Sequence, residues 1–539
     1  MTIFSTTPFA GQRPGTSGLR KKVSVFAQPH YTENYLQAVF ESLPAHDNNV
    51  LIVGCDGRYH CDVVIGLVLR MAAANGIERC IVGLNGWLST PAASHLVRTN
   101  NARGAIILTA SHNPGGATGD FGIKLNLSNG GPAPQDITER IYLRTQNIEK
   151  FSISDSVAPR FDAVGISMLE TMVVETVDAV HAYVSLMQSI FDFDQISSLA
   201  KSGFRLTFDG MNGVSGPYAE TLFVKALGFP DDSVIGKVPL PDFGGLNPDP
   251  NPVHAQRLFS SMMRQTGADF GAASDSDGDR HMIMGQGFYV TPSDSLAIMA
   301  QHMHLAPGYA GGISGVARSL GTSSAVDRVA RKLRIPCFET PTGWRYFGNL
   351  LDAGLITLCG EESSGASSNH IREKDGLWAI LLWLNILAVK RIPVAEIVGQ
   401  QWKQFGRTYY ERRDYEEVDE GACATMLDKL RSRLNRISGR GTVLGAVTLA
   451  DDFTYQDVVD GTVSSRQGIR FCFEAGGRVV LRLSGTGTTG ATLRVYGERH
   501  DPVNFTRPVA EFLEPVFDLV DQIAGVSVFT KRYEPTLVT

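Results

Sequence analysis

Three aspartates stand at alternate positions in the stretch DSDGDR, as Asp275, Asp277 and Asp279. Carboxylates at this spacing repel one another unless a cation joins them, and hard oxygen ligands favour Mg²⁺ over a thiophilic metal. An EF-hand calcium loop is excluded, because it needs glycine at its sixth position and glutamate at its twelfth, where this sequence has Arg280 and Gln286. The stretch predicts a magnesium site, with a solvated acidic turn as the alternative.

Ser111 lies in a second polar turn, TASHNPGG, directly after the apolar run GAIIL. Its hydroxyl is a candidate nucleophile. The alternative is a plain turn, because Ser, Asn, Pro and Gly are the usual turn formers, each for a local backbone reason. Other polar loops that follow apolar strands elsewhere in the chain favour the chemical interpretation.

A third stretch, RLSGTGTTGATLRVYGE, contains the formal pattern G-x-G-x-x-G at Gly485, Gly487 and Gly490. The dinucleotide-binding version of this pattern requires a helix next, but the alternating ATLRVY predicts a strand. The glycines then belong to a turn between strands, whose backbone N–H groups can hold an anion such as a phosphate monoester. The residues predicted to bind this anion are Arg482, Ser484, Thr486, Gly487 and Arg494. A hairpin whose arginines face solvent is the alternative.

A fourth stretch, GEESSGASSNHIREKDG, mixes acidic, hydroxyl and basic side chains. Glu361 and Ser363 combine a carboxylate with a hydroxyl, which suits neighbouring hydroxyl groups of a sugar. Lys374, at the basic end, could hold a phosphate or move a proton. Asp375 is explained equally well as the N-cap of the helix that follows.

These loops are positioned by a pattern that occurs three times along the chain: strand, glycine-containing loop, helix, strand, helix, strand and polar loop. The copies begin at NVLIVGCDGR, FRLTFDGMNG and GISGVARSLG, and they end at TASHNPGG, DSDGDR and GEESSG. Strands that alternate with helices predict β-α-β units in a mixed, largely parallel sheet, which binds ligands at the loops after its strand ends. After Arg407 the pattern changes to a helix followed by alternating strands.

The predicted fold class is therefore α/β, with three similar mixed-sheet α/β domains followed by a fourth α+β domain, arranged around one central cleft. We expect domain I with the Ser111 loop at residues 1–195 and domain II with the acidic loop at 196–300. Domain III, with the sugar-binding loop, is expected at 301–405, and domain IV, with the phosphate loop, at 406–539.

The composition of the 539-residue chain excludes several classes of function. A formal net charge of −6 and a charged content of 19% give no basic excess for binding nucleic acid. The strongest apolar stretch, residues 377–389, is shorter than the ~20 residues needed to cross a bilayer, so we expect a buried helix and no membrane partner. Seven cysteines without a C-x-x-C pattern, and no secretory signal, predict a reduced, cytoplasmic protein.

The order TASHNPGG, DSDGDR, GEESSG with HIREKDGLW, and RLSGTG resembles the α-D-phosphohexomutase superfamily. The resemblance covers nearly the whole chain and includes RPGTSGLRKKV near the start and PTGWRYFGNL before the third loop. One departure is Ser276, where the metal loop of that family usually has glycine. If this position requires a positive φ, serine is strained there, although the three carboxylates are intact.

The resemblance implies an enzyme that moves phosphate between O1 and O6 of a hexose and interconverts α-D-glucose 1-phosphate and glucose 6-phosphate. It implies that Ser111 carries the phosphoryl group. Mg²⁺ would be held by a phosphate oxygen on Ser111 together with Asp275, Asp277 and Asp279. Glucose 1,6-bisphosphate would form as the intermediate and turn end for end, which explains why one chain needs two anion sites.

By the same resemblance, Lys374 is the candidate general acid or base, with His112 and Lys124 in support. The implied cleft residues are Thr16, Ser17, Arg20, Arg280, Thr342 and Gly343. The expected partner is a small phosphosugar, and the chain is expected to be a monomer or a weak homodimer. Two alternatives stay open: a non-catalytic phosphosugar-binding protein on this fold, and a related enzyme that acts on mannose 1-phosphate or makes a hexose 1,6-bisphosphate.

Overall fold

The three repeated segments fold into three sheets that share one strand order. In this computed structural model, the first strand of each segment lies between the second and the third, and these three strands are parallel. A fourth strand runs antiparallel beside the third. These strands are Arg79–Trp87, Val50–Cys55, Gly104–Leu108 and Asp120–Leu127 in the first sheet; Val234–Ile235, Leu206–Asp209, Phe270–Ala273 and Met282–Gly285 in the second; and Cys337–Thr340, Val316–Ser319, Leu358–Gly360 and Ala366–Ser368 in the third. Each polar loop connects the third strand to the fourth, so the prediction of three similar mixed-sheet units is confirmed.

Further strands extend the first two sheets. Leu19–Lys22 adds to one edge of the first sheet, Met172–Val177 and Gly165–Leu169 add to the other, and Phe288–Val290 adds to the second sheet. Thr2–Ser5 pairs separately with Lys150–Ile153. The structure describes residues 1–265, 267–485 and 491–539.

The helices cover the faces of the sheets. In the first three units they are Val23–Phe26, Tyr31–Ser42, Cys61–Ala74, Thr90–Thr99, Gln135–Thr145, Ala179–Ile190, Phe193–Lys201, Ser215–Ala219, Gln256–Met263, Pro292–His302, Ala325–Leu333, Arg345–Asp352, Gly376–Lys390 and Val394–Phe405. The segment GPYAETLFVKALG follows the first strand and loop of the second repeat, where the repeated pattern predicts one helix. It forms a short α-helix at 215–219 and then a π-helix at Glu220–Ala226.

The fourth unit is a seven-stranded antiparallel sheet with helices. Its strand order is Gly441–Thr442, Gly445–Asp452, Ile469–Phe473, Gly477–Gly485, Ala491–Asp501, Arg407–Val418 and Leu537–Val538. Its helices are Glu420–Arg431, Leu434–Ile437, Val509–Ala524 and Val526–Thr530, and a small hairpin pairs Tyr455–Gln456 with Val463–Ser464. This confirms the predicted change to an α+β domain after Arg407.

The apolar stretch at 377–389 forms a buried helix, as predicted. Gly376–Lys390 lies within a hydrophobic core that joins residues of the first three sheets, and Trp378 and Trp383 are completely buried. Among the described residues, no single helix is long and apolar enough to cross a membrane. The helices Gly376–Lys390 and Val394–Phe405 reach that length and apolar content only when taken together, and the chain bends by 86° between them.

The helix Pro292–His302 belongs by its contacts to the third unit. It packs against Ala325–Leu333 and against the strand Leu358–Gly360. The division expected between residues 300 and 301 falls inside this helix, so a division near residue 290 fits the packing better.

Candidate active site

Ser111 is held by hydrogen bonds on its side chain and on both of its backbone groups. It follows the strand Gly104–Leu108 and is 1% exposed, with φ at +52°. Its N–H donates to Thr109 Oγ1 at 2.8 Å, and its carbonyl oxygen accepts from Arg58 Nη2 at 2.8 Å. Its Oγ donates to Asp275 Oδ2 at 2.7 Å. The turn therefore presents the hydroxyl to the acidic loop of the second unit, as the nucleophile hypothesis requires.

The acidic loop gathers three buried carboxylates. Asp275, Asp277 and Asp279 each offer one oxygen, and these oxygens lie within 4.8 Å of one another. Among the described residues, Oδ1 of Asp277 and Oδ1 of Asp279 are buried without a hydrogen-bond partner. Unpartnered carboxylate oxygens in a buried cluster fit a small, hard divalent cation. This geometry excludes the alternative of a solvated acidic turn.

The protonation of this cluster depends on burial and on two lysines. Burial, followed by the neighbouring charges of Asp277 and Asp279, raises the pKa of Asp275 well above its usual value. Burial also acts to raise the pKa of Asp279, but the cations Lys374 and Lys124 outweigh it and lower that pKa. The pKa values of two carboxyls in one cluster are thus shifted in opposite directions, which is typical of functional sites.

Lys124 and Lys374 complete the charge arrangement. Lys124 Nζ lies 3.3 Å from Glu373 Oε1, 3.7 Å from Asp279 Oδ2 and 3.9 Å from Asp277 Oδ2. Although burial opposes it, these carboxylates raise the pKa of Lys124 to about 12, which keeps Lys124 a fixed cation. Lys374 Nζ lies 3.0 Å from Asp279 Oδ2 and so meets the same loop from the third unit.

His112 stands beside the Ser111 hydroxyl. Its Nδ1 is 3.3 Å from Ser111 Oγ. Burial, followed by the cations Arg280, Arg20, Lys374 and Arg494, lowers the pKa of His112 well below its usual value, so the ring is neutral. Because one of these cations belongs to the fourth unit, that unit faces the same centre as the other three.

The predicted sugar-binding loop faces the Thr342–Gly343 segment. The N–H of Gly343 donates to Glu361 Oε1 at 3.0 Å, and burial raises the pKa of Glu361. Thr342 Oγ1 is buried without a hydrogen-bond partner among the described residues. A Cβ built on Gly343 would lie 3.7 Å from Thr16 Cγ2, so the Thr16–Ser17 loop of the first unit adjoins the same segment.

Ser363 stands in the same turn, half-buried beside Glu361. The neighbouring Glu362 points elsewhere, because its Oε2 accepts from Ser319 Oγ at 2.9 Å and from Thr322 Oγ1 at 3.3 Å inside the third unit. Glu362 is thus held by contacts inside the third unit, whereas the carboxylate of Glu361 accepts from the Gly343 N–H.

Two predicted cleft arginines lie close to the carboxylates. Arg280 donates from its backbone N–H to Asp275 Oδ1 at 3.0 Å and from Nη1 to Asp249 Oδ1 at 3.2 Å. Arg20 has a buried Nε with no hydrogen-bond partner among the described residues. Burial lowers the pKa of Arg20, while the charges of Asp277 and Asp279 oppose that effect. A buried cation with an open donor is suited to binding an anionic ligand.

The predicted phosphate loop is described at its two ends. Arg494 Nη1 donates to Ser484 Oγ at 2.9 Å, and Arg482 pairs with Arg494 across the two strands. The side chain of Arg494 is 31% exposed. Thr486 and Gly487, which were predicted to complete this site, lie outside the described residues.

The backbone of Ser276 is not strained, so the strain expected for a serine at a position with positive φ does not occur. Among the described residues that are not glycine, those with positive φ include Ser111 but not Ser276. Its side chain is fully buried and its Oγ lies 2.8 Å from Asp56 Oδ2. The expected conformational cost is therefore absent, and the hydroxyl has a specific environment.

Several residues of the site were not found by sequence reasoning. Asp249 pairs with Arg280, Glu373 pairs with Lys124, and Thr90 Oγ1 donates to Asp277 Oδ2 at 2.7 Å. Asp56 and Arg58 support Ser111. Three of these residues had a usable signal in the sequence: Asp56 and Arg58 lie in the CDGR loop after the first strand of the first repeat, and Glu373 precedes Lys374.

Comparison with known proteins assigns all four units to one family. Domains I, II and III of the phosphoglucomutase/phosphomannomutase family, described as alpha/beta/alpha domains, match residues 11–152, 181–287 and 291–405. The C-terminal domain of phosphoglucomutase-1 matches residues 407–536.

Full-length relatives agree with these domain matches. The chain is 52% identical to a phosphoglucomutase of Rhizobium radiobacter over 99% of both chains, and 46% identical to the probable phosphoglucomutase, cytoplasmic 2, of Arabidopsis thaliana over 100% of this chain and 99% of the relative. The crystal structure of parafusin (phosphoglucomutase) from Paramecium, in an open form, has a TM-score of 0.92 at 45% identity and covers 100% of this chain and 99% of that one.

Proposed function

Because this chain belongs to the phosphoglucomutase/phosphomannomutase family, we propose that it is the enzyme that interconverts α-D-glucose 1-phosphate and glucose 6-phosphate. The observation that carries the proposal is the 2.7 Å contact between Ser111 Oγ and Asp275 Oδ2, beside two further carboxylates with open oxygens. A non-catalytic phosphosugar-binding protein would have no need of a hydroxyl placed at such a cluster.

In this proposal Ser111 carries a phosphoryl group and passes it to the O6 hydroxyl of glucose 1-phosphate. The Oγ–P bond breaks as the O6–P bond forms; the O6 proton passes to a base, and one proton is returned to Ser111 Oγ so that its hydroxyl is restored. Lys374, whose Nζ borders the acidic loop, is the proposed general acid or base, and it accepts the O6 proton in its neutral amine form. Neutral His112, next to Ser111 Oγ, is placed to hydrogen-bond the reacting oxygen.

Asp275, Asp277 and Asp279 would hold Mg²⁺ together with an oxygen of the Ser111 phosphate. When bound, this ion supplies positive charge against the negative charge that develops on the phosphoryl oxygens. Lys124, a fixed cation near Asp277 and Asp279, balances part of the carboxylate charge from the protein side.

The proposed intermediate, glucose 1,6-bisphosphate, turns end for end so that its other phosphate returns to Ser111. Arg482, Ser484 and Arg494 would hold the phosphate that is not reacting. Glu361 and Ser363 would contact the O3 and O4 hydroxyls in both orientations. These hydroxyls have the same configuration in glucose and mannose, so this pair alone does not reject mannose.

The test is a coupled assay that compares kcat/KM for glucose 1-phosphate and mannose 1-phosphate in one preparation. We expect the higher value with glucose 1-phosphate, phosphate on the peptide containing Ser111 by mass spectrometry, and no activity in Ser111→Ala. Equal or higher efficiency with mannose 1-phosphate would replace the proposal with a dual-specificity or mannose-directed enzyme. Full activity in Ser111→Ala would remove the phosphoserine mechanism.

The cytoplasm is the proposed location. It is supported by a cytoplasmic relative and by seven free cysteines, although a chloroplastic relative from the same plant is matched as well. Fractionation of the source cells with antibody detection tests this location.

A further inference from the structure

Ser111 adopts a backbone conformation that its residue type disfavours. Its φ of +52° lies in the left-handed region, where a Cβ crowds the backbone. Strain of this kind persists only where the surroundings fix it, and it concentrates at functional sites. The groups that hold the backbone of Ser111 therefore set the direction of its hydroxyl.

The first of these groups is a buried ion pair in the loop after the strand Val50–Cys55. Asp56 and Arg58 have fully buried side chains and lie 2.8 Å apart. Arg58 Nη2 donates to the carbonyl oxygen of Ser111 at 2.8 Å. Thr109 Oγ1 donates to Asp56 Oδ2 at 2.6 Å and accepts the Ser111 N–H at 2.8 Å. Asp56, Arg58 and Thr109 thus fix both ends of the Ser111 residue.

Ser276 adds a contact from the second unit. Its Oγ lies 2.7 Å from the carbonyl oxygen of Ser111 and 2.8 Å from Asp56 Oδ2, and it has one proton to donate. Asp56 Oδ2 already accepts from Arg58 Nε, Arg58 Nη2 and Thr109 Oγ1. Among the described residues, the carbonyl oxygen of Ser111 accepts otherwise only from Arg58, so a hydrogen bond from Ser276 adds more there than at Asp56 Oδ2.

Ser276 stands between Asp275 and Asp277 in the chain. The backbone that carries the carboxylates therefore also holds the backbone of the phosphoryl carrier, which lies in another unit. We propose that Ser276 is a positioning residue, whose hydroxyl fixes the Ser111 turn against the acidic loop and so sets the distance over which the phosphoryl group is transferred. Glycine at this position would supply no such donor.

This inference rests on the proposed function, since it requires that Ser111 carry phosphate. The experiment compares the wild type with Ser276→Ala and Ser276→Gly, which remove the hydroxyl, and Ser276→Thr, which keeps it. Each protein is phosphorylated with glucose 1,6-bisphosphate and mixed with glucose 1-phosphate, and loss of phosphate from Ser111 is followed in a single turnover. The matched control is Ser215→Ala, which removes a buried hydroxyl bonded to Gly210 O in the same unit.

We expect Ser276→Ala and Ser276→Gly to transfer phosphate about three- to tenfold more slowly, as loss of one hydrogen bond predicts, with KM changed by less than about twofold. Ser276→Thr and Ser215→Ala should stay within about twofold of the wild type. Melting curves identify a variant that fails to fold. If Ser276→Thr does not fold, the proposal is tested by Ser276→Ala and Ser276→Gly, because both remove the hydroxyl donor without adding atoms to the buried site.

Unchanged transfer in the alanine and glycine variants would overturn the positioning role. So would a folded Ser276→Thr protein as slow as Ser276→Ala, or a change confined to KM or to the Mg²⁺ concentration required. In each of these cases, detection of phosphate on wild-type Ser111 would still support the proposed function. Absence of phosphate from wild-type Ser111 would remove the proposed mechanism and the role of Ser276 together.

Discussion

Among the described residues, the two predicted anion sites of this chain differ in burial and in the contacts that hold their side chains. At the Ser111 centre, the serine is 1% exposed, Asp275 and Asp277 are fully buried, and both backbone groups of Ser111 are hydrogen-bonded. At the phosphate loop, Arg494 leaves 31% of its side chain exposed and contacts Ser484 at 2.9 Å and Asp414 at 3.4 Å.

The difference follows from what each site is proposed to do. Groups that make and break a bond must be fixed before the substrate arrives, since small errors in position reduce the rate. A loop that holds a spectator phosphate needs charge, and it must also release that phosphate when the bisphosphate turns. Changes at the Ser111 centre should therefore act on kcat, and changes at the phosphate loop on KM.

The largest effect is expected at the acidic cluster. Asp277→Asn keeps the shape of the side chain but removes a charge, and it should lower kcat by about a hundredfold or more, because that charge acts in the transition state. EDTA should inactivate the wild type, and added Mg²⁺ should restore it. Asp242→Asn, at an exposed turn, is the matched control. Full activity in EDTA would contradict the assignment.

An intermediate effect is expected at Glu361, in the predicted sugar-binding loop. Glu361→Ala should lower kcat/KM about ten- to a hundredfold, as loss of a charged hydrogen bond to a sugar hydroxyl predicts, while Ser111 still becomes phosphorylated. Glu361→Gln keeps an acceptor for the Gly343 N–H and should lose less. An alanine variant that failed to phosphorylate Ser111 would show instead that Glu361 shapes the reacting centre.

At the phosphate loop, Arg494→Ala should raise KM about tenfold with a smaller loss in kcat. Arg499→Ala is the matched control, because Arg499 lies on the same strand but stacks on Phe512. Steady-state kinetics with glucose 1-phosphate separate the two parameters. If Arg494→Ala lowered kcat and left KM unchanged, the expected kinetic difference between the two sites would be wrong.

The smallest effect concerns pH and stability. Burial lowers the pKa of His281, which follows the acidic loop, from 6.5 to about 4. The unfolded chain then binds a proton that the folded chain does not, so the free energy of unfolding falls as the pH drops from about 6.5 towards 4, by about 2 kcal/mol at pH 5. His281→Asn should reduce the pH dependence of the melting temperature. An unchanged pH dependence in His281→Asn would show that His281 does not cause the loss of stability at low pH.

The loops and their order could be predicted from the sequence, because apolar strands followed by unusual polar turns are local patterns. That Ser111 and Asp275 meet in one centre could be predicted from the repeat, since equivalent strand ends carry equivalent loops. Lys374 follows the strand Ala366–Ser368 instead, and its role was implied only by the family resemblance. The helix N-cap at Asp375 was also readable, and its carboxylate accepts from Trp378 N at 3.0 Å.

Other features depended on contacts that no local pattern encodes. Asp56 and Arg58 support Ser111 only because the strands Val50–Cys55 and Gly104–Leu108 are neighbours. Asp249 reaches Arg280 from a segment with no periodicity. The conversion of a predicted α-helix to a π-helix at Glu220–Ala226 likewise has no signal in its composition.

Lys374 is joined to the buried helix Gly376–Lys390 by a single residue, and that residue, Asp375, also accepts from Tyr183 OH at 2.6 Å. A proposed catalytic side chain is thus attached to the core shared by three units. Its surroundings cannot open without disturbing that core. Amide hydrogen exchange at 374–378 should be as slow as in the centre of the helix, and loss of activity on heating should coincide with cooperative melting instead of preceding it.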